Sequence, residues 1–125
     1  MKKIIMKRGG VKQVAELLSK HPIVVARALS GNCKETPMNL RIRKCAINHG
    51  GVELDSDGWH GNFACSAMKP ERMAFQFANG ATLEIREREQ AIEVTRPDGE
   101  VDRYEFSSDL RLCDVRGLQV MAMNI

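Results

Sequence analysis

Two apolar stripes of helical period, separated by a break of three residues, constrain the first half of this chain most strongly. The first stripe has the spacing i, i+3, i+4 and i+7 and consists of Val11, Val14, Ala15 and Leu18. The second has the spacing i, i+3 and i+4 and consists of Val25, Ala28 and Leu29. Pro22 follows the break, and proline suits the first position of a helix because its missing N–H would have no partner there. The sequence therefore predicts two helices of about eight residues joined by a short turn, which is a helix-turn-helix.

A third helix is predicted from Pro37 to about His49. Thr36 precedes it as an N-cap, proline takes the next position, and the glycines at 50 and 51 end the helix. Its apolar face is expected to consist of Met38, Ile42, Cys45 and Ala46. We expect the three helices to share one apolar interior and to form a small domain of residues 1–54.

The second half of the chain has the period of strands. From Arg72 onward apolar residues alternate with polar ones, through Met73, Phe75, Phe77, Leu83, Ile85, Ile92, Val94, Tyr104 and Phe106. Asn79–Gly80 predicts a hairpin with a type I′ turn, and Pro97–Asp98–Gly99 predicts a second turn. Residues 107–125 fit a C-terminal helix with the stripe Leu112, Val115, Leu118 and Ala122, although the end of this segment also alternates as a strand would.

Residues 55–70 show no clear period and are predicted to be an irregular linker, with Trp59 and Phe63 packing against the domain that follows. The predicted fold class is therefore α+β. A helical domain of residues 1–54 is followed by an antiparallel β-meander of residues 71–125, which we expect to serve dimerisation or partner binding.

Charge divides the chain in the same way. Residues 1–52 hold eleven Lys and Arg against two Asp and Glu, a net charge of +9, whereas residues 53–125 hold eight against fourteen, a net charge of −6. The first half is thus expected to meet a polyanion. No run approaches the about 20 apolar residues of a membrane span. The segment from Met1 to Arg8 begins with basic residues, but its apolar run, Ile4-Ile5-Met6, is too short for a signal-peptide core. We expect a cytoplasmic protein with no membrane association, in which the four cysteines are reduced.

A helix-turn-helix places its second helix in the major groove of DNA. Since one face of that helix belongs to the core, the residues expected to contact bases are Ile23, Val24, Ala26, Arg27 and Ser30. Arg27 can donate two hydrogen bonds to guanine, which discriminates between bases by about 1–3 kcal/mol. Phosphate contacts, which carry no sequence information, are expected from Lys7, Arg8, Lys12, Lys20, His21, Arg41 and Lys44.

The run VKQVAELLSKHPIVVARALSG resembles the DNA-binding headpiece of the lac and purine repressor family. That family has a Val-Ala pair in its first helix, a valine in the middle of its second and an arginine two residues later, the places held here by Val14–Ala15, Val25 and Arg27. The later run LRIRKCAINHGG resembles the third headpiece helix. The resemblance covers roughly residues 9–54. The length of the chain suits small prophage or mobile-element regulators that share this pattern. The resemblance implies that Pro22, Ile23 and Arg27 face the bases. The family's turn glycine and the Ser or Thr that begins its recognition helix are replaced by the segment 19–21, Ser-Lys-His.

These observations predict a transcriptional regulator that binds double-stranded DNA as a homodimer. No cofactor, small-molecule effector or enzymatic activity is expected. The main alternative is a protein-interaction adaptor whose basic helical domain docks on an acidic partner.

Two chemical readings of the cysteines and histidines compete with DNA binding. Cys45 and His49, at i and i+4, with His60 and Cys65 downstream, would form a Cys₂His₂ zinc site, but their spacing is not that of a standard finger. A Cys65 nucleophile with His60 as its base would need an orienting group that the sequence does not indicate. No metal site is therefore expected.

Overall fold

The computed structural model describes residues 1–57, 59, 65–69, 72–106 and 110–125, with residues 65–69 described by their backbone. The fold class is α+β, with four helices and antiparallel strands in the described part of the chain. The chain divides into two compact units, an N-terminal unit of Met1–Leu54 and a C-terminal unit of Asp55–Ile125.

The N-terminal unit contains three helices and a pair of short strands. Its elements are β1 (Ile4–Lys7), α1 (Gly10–Leu18), α2 (Pro22–Leu29), α3 (Pro37–Asn48) and β2 (Val52–Glu53). The three predicted helices are thus confirmed, and Thr36 caps α3 as expected, since its side chain accepts a hydrogen bond from the N–H of Asn39. The strands β1 and β2 pair antiparallel, with Ile4 opposite Glu53 and Ile5 opposite Val52.

The core of the N-terminal unit joins the three helices to β1. Its buried residues are Ile4, Met6, Val14, Ala15, Val25, Ala28, Leu29, Ile42 and Ala46. The prediction that Met38 belongs to this core is wrong, because its side chain is 48% exposed. The buried face of α3 passes through Ile42, Arg43 and Ala46 instead, so Met38, in the first turn, lies outside it.

In its described residues, the C-terminal unit consists of five antiparallel strands and one helix. Its elements are β3 (Cys65–Lys69), β4 (Arg72–Gln76), β5 (Thr82–Arg86), β6 (Ala91–Thr95), β7 (Val101–Glu105) and α4 (Leu112–Met123). Each strand pairs with the next along the chain. The predicted alternation is confirmed by a core that contains Phe75, Leu83, Ile85, Ile92, Val94, Tyr104, Phe106, Leu118 and Ala122. The C-terminal segment forms a helix rather than a strand.

The predicted linker of residues 55–70 is wrong in part, because residues 65–69 form β3. The register of β3 against β4 shifts between Cys65 and Ala67, and such a bulge removes the regular alternation from the sequence. The expected packing of Trp59 is confirmed, since its Nε1 donates to Oε1 of Gln119 on α4 at 2.6 Å and the guanidinium of Arg116 lies 4.6 Å from its ring centre. Phe63 and the rest of the segment 60–64 lie outside the described residues.

The hairpin between β4 and β5 forms where expected, but its turn is not type I′. Gly80 has a φ of +88°, whereas Asn79 is not among the residues with positive φ. The N–H of Gly80 donates to the Phe77 carbonyl at 3.0 Å, which gives a three-residue loop with glycine in the left-handed position. Asn79 is held in this form because its Nδ2 donates to the Ala122 carbonyl at the end of α4, at 2.9 Å.

Candidate nucleic-acid interface

The helix α2 has one buried face and one exposed face. Val25, Ala28 and Leu29 are buried in the core, whereas Ile23 is 55% exposed and Arg27 is exposed as well. Ile23 and Arg27 follow one another at i and i+4, so they lie along one line on the solvent side. With eight residues, α2 is about 12 Å long.

The residues expected to contact bases differ in how much surface they offer. Pro22, Ile23 and Arg27 are exposed, whereas Val24, Ala26 and Ser30 are half-buried. Val24 packs against the core. The hydroxyl of Ser30, which caps the end of α2, donates to the Arg27 carbonyl at 2.8 Å. The exposed surface of the site therefore consists of the Arg27 guanidinium and the apolar side chains of Pro22 and Ile23.

The turn between α1 and α2 has a defined geometry. Ser19 ends α1 in the left-handed conformation, with a φ of +52°, and its N–H donates to the carbonyls of Ala15 and Glu16. His21 is the N-cap of α2, because its Nδ1 accepts a hydrogen bond from the N–H of Ile23 at 3.1 Å. An accepting Nδ1 carries no proton, so the neutral ring has its proton on Nε2 and offers that N–H as a donor.

All seven residues expected to contact phosphate are exposed, namely Lys7, Arg8, Lys12, Lys20, His21, Arg41 and Lys44. The structure brings two of them together, since Lys20 and Arg41 line one cleft between the end of α1 and the start of α3. The others lie on β1, on the following turn, on α1, at the N-cap of α2 and on α3. None of the three helices has an acidic residue in its first turn.

A second cleft, at the C-terminal end of α2, contains polar residues that the sequence did not indicate. Arg27 lines it together with Asn32, Lys34 and Asn39. Asn39 Nδ2 donates to the Lys34 carbonyl at 2.8 Å, which fixes the loop before α3. The only signal for Lys34 was its place in the basic half, because a loop residue has no period that assigns it to a face.

Arg43 is another residue that the sequence analysis missed. It is only 6% exposed. Its Nη1 donates to the Ala28 carbonyl at 3.1 Å, its Nη2 donates to the Lys2 carbonyl, and the Glu53 carboxylate lies 3.7 Å away. Arg43 lies four residues after Asn39 and three before Ala46. This helical spacing was the signal in the sequence that could have placed Arg43 on the inner face of α3.

Among the described residues, the zinc hypothesis is supported by one pair of neighbouring side chains, those of Cys45 and His49. Cys45 Sγ and His49 Nδ1 are 3.7 Å apart, and that nitrogen is also 2.8 Å from the Cys45 carbonyl. Within the described ranges no cluster of three His, Cys, Asp or Glu could hold a metal ion. His60 and the side chain of Cys65, on which the zinc and nucleophile hypotheses depend, lie outside the described residues.

Comparison with known proteins finds no matching family model, no matching curated protein and no matching solved structure. The resemblance to repressor headpieces therefore stays a prediction based on the residues quoted for it. Of the helices that the structure describes, none has the length and apolar character to cross a membrane.

Proposed function

We propose that the protein binds double-stranded DNA and regulates transcription, with α1, the turn at 19–21 and α2 acting as a helix-turn-helix. The observation that carries this proposal is the exposed line of Ile23 and Arg27 on α2, opposite a face that is buried in the core. This line lies on a unit with eleven Lys and Arg against three Asp and Glu, a net charge of +8. Arg27 would donate to guanine and Ile23 would contact a thymine methyl group.

The dimensions and charges of the helix fit a major groove. The groove is about 12 Å wide, and a helix with its side chains is about 10–12 Å in diameter. Lys20 and His21 precede the N-terminal end of α2, and Lys34 follows its C-terminal end and lines a cleft with Arg27. Donors at both ends of the helix suit the two phosphate backbones that border the groove.

The C-terminal unit is proposed to mediate homodimerisation. Residues 55–125 hold eight Lys and Arg against thirteen Asp and Glu, a net charge of −5, which phosphate would repel. Two copies of the N-terminal unit would then bind two half-sites about one helical turn apart.

An adaptor that docks on an acidic protein is the second candidate function. It is favoured by apolar side chains that stay exposed on α1 and α3 beside the basic residues, namely Leu17, Leu40 and Ile47, at 55%, 44% and 43%. Such a surface would bury apolar area against a partner while its lysines and arginines meet carboxylates.

Binding of the full chain to a labelled random-sequence duplex, measured by fluorescence anisotropy at several salt concentrations, tests the proposal. We expect affinity to fall steeply with salt as counterions are displaced. In Arg27→Ala a dimer loses two bidentate guanine contacts, so the affinity for a duplex selected by the wild type should fall by about a hundredfold, about tenfold for each contact. The matched control Arg88→Ala removes one exposed arginine from the C-terminal unit and should keep the affinity.

Two results would contradict DNA binding. One is the absence of binding to any duplex, and the other is binding that does not respond to salt. Equal affinity for poly-glutamate and for a duplex of the same charge would favour the adaptor, because the protein would then recognise negative charge without the structure of DNA.

A further inference from the structure

Arg43 differs from the other cations of α3 in its surroundings. Arg41 and Lys44, on either side of it, are exposed, whereas the Arg43 guanidinium lies in the core of the N-terminal unit. Burial of a guanidinium is unfavourable unless its N–H donors are paired with acceptors. The acceptors that Arg43 binds therefore show which parts of the unit it holds in place. Those partners are two main-chain carbonyls, of Ala28 on α2 and of Lys2 in the segment before β1, with the Glu53 carboxylate 3.7 Å away.

The contact with Ala28 is a cap on α2 supplied by another helix. The last carbonyls of a helix have no partner within it. At the end of α2, the carbonyls of Ala26 and Arg27 accept a hydrogen bond from the N–H of Ser30. The Ala28 carbonyl instead accepts from Arg43 Nη1 and, at 3.2 Å, from Cys33 Sγ. The positive charge of Arg43 thereby lies at the negative end of the α2 dipole.

This cap is one residue away from the side chain that the proposed function assigns to base contact. Ala28 follows Arg27 directly, and α2 has only eight residues, so a change at its C-terminal end reaches Arg27. Arg43 also donates a hydrogen bond to the Lys2 carbonyl. Its guanidinium therefore links α3 both to α2 and to the segment before β1. A rotation of α2 about its axis would break the hydrogen bond from Arg43 to the Ala28 carbonyl.

We propose that Arg43 is a positioning residue, which fixes the orientation of α2 and so determines how well Arg27 distinguishes guanine from the other bases. This inference rests on the proposed DNA binding. Because the guanidinium is buried, Arg43 does not itself meet phosphate, and its effect is on sequence discrimination rather than on electrostatic attraction. A residue with a merely structural role would instead change the folded fraction and so weaken binding to every duplex equally.

The test compares Arg43→Met with Arg41→Met, which removes the same charge from an exposed position of the same helix. Each full-length variant is titrated with a duplex selected from a random pool by the wild type and with a scrambled duplex of equal composition, at several salt concentrations. Arg43→Met is expected to lower the ratio of the two affinities by about tenfold, as an impaired arginine–guanine pair would, and to leave the salt slope unchanged. Arg41→Met is expected to keep the ratio and to reduce the slope by about 0.9 for each of the two protomers of the dimer.

Arg43→Lys should rescue part of the ratio, because an ammonium group can donate to one carbonyl but does not reproduce the fork of the guanidinium. If Arg43→Met is unfolded by circular dichroism at the assay temperature, Arg43→Lys decides: a lowered ratio supports the inference and a wild-type ratio overturns it. A folded Arg43→Met with the wild-type ratio, or with the reduced slope of Arg41→Met, also overturns it while DNA binding stands. A wild-type protein that binds no duplex refutes both proposals.

Discussion

Ser19 occupies a backbone position that favours glycine, and its replacement tests the turn before α2. Its φ of +52° and ψ of +44° lie in the left-handed region, where the Cβ of any other residue approaches the following carbonyl oxygen. Ser19 is exposed, and the two hydrogen bonds that it makes at the end of α1 come from its backbone N–H. Ser19→Gly therefore keeps those bonds and relieves the unfavourable conformation.

The expected gain is the difference between two opposing effects. The left-handed conformation costs a non-glycine residue roughly 1–2 kcal/mol. Glycine loses more backbone freedom on folding, which costs roughly 0.5–1 kcal/mol. The free energy of unfolding of the N-terminal unit should thus rise in Ser19→Gly, by up to roughly 1.5 kcal/mol.

Two spectroscopic probes separate the units in a urea titration. All six aromatic residues lie between Trp59 and Phe106, so tryptophan fluorescence reports on the C-terminal unit. Three of the four described helices lie in the N-terminal unit, so far-ultraviolet circular dichroism reports mainly on that unit. With a slope of about 1 kcal/mol per molar urea for a small unit, the dichroism midpoint should rise by up to roughly 1.5 M, and the fluorescence midpoint should not change.

Ser30→Gly is the matched control, because Ser30 also ends a helix but has a φ of −67°. Glycine brings no relief there, and the hydrogen bond from Oγ to the Arg27 carbonyl is lost. We expect Ser30→Gly to lower the dichroism midpoint. A decrease in Ser19→Gly, or equal shifts in the two variants, would refute the reasoning from φ.

Two further substitutions test close packing and charge. In Gly51→Ala the new Cβ would lie 2.7 Å from the Ala46 carbonyl oxygen. The free energy of unfolding of the N-terminal unit should therefore fall by roughly 1–3 kcal/mol in the same titration. An unchanged dichroism midpoint would contradict this contact. Partial burial raises the pKa of Glu84, but hydrogen bonds from Arg86 and Arg72, with their charges, outweigh it and hold that pKa below 4.5. The stabilisation is therefore complete above pH 4.5 and is lost as pH falls through the lower pKa of the folded state. The difference in fluorescence midpoint between wild type and Glu84→Gln should shrink on acidification, and a difference that does not vary with pH would exclude this role.

The elements that were correctly predicted depend on short-range signals. The spacing of Val14, Ala15, Val25 and Ala28 follows from the helical period alone, and Thr36–Pro37 begins α3 through an interaction within one turn. The strands from β4 to β7 likewise follow from alternation. Each of these patterns lies within about ten residues of sequence, over which local physics determines the structure.

The features that were missed depend on partners distant in the chain. Arg43 is buried because of carbonyls 15 and 41 residues away, and no local spacing identifies such acceptors. The loop at Asn79 takes its form from a contact with a helix more than 40 residues later. The sequence also did not indicate that Arg86 lies within ion-pair distance of both Glu84 and Glu93.

The outer face of α2 limits how much sequence the proposed DNA site can distinguish. Arg27 would be its hydrogen-bonding contact with bases, and one bidentate pair discriminates by about 1–3 kcal/mol. Two copies in a dimer would supply roughly 2–6 kcal/mol, whereas specific sites commonly exceed non-specific DNA by roughly 4–10 kcal/mol. Ile23 adds contact with a methyl group, and the Ser30 hydroxyl proton is already donated to the Arg27 carbonyl. If this protein binds a defined operator, we therefore expect part of its selectivity to come from the sequence-dependent shape and stiffness of the duplex. The lysines and arginines proposed to contact phosphate would sense that shape without touching a base.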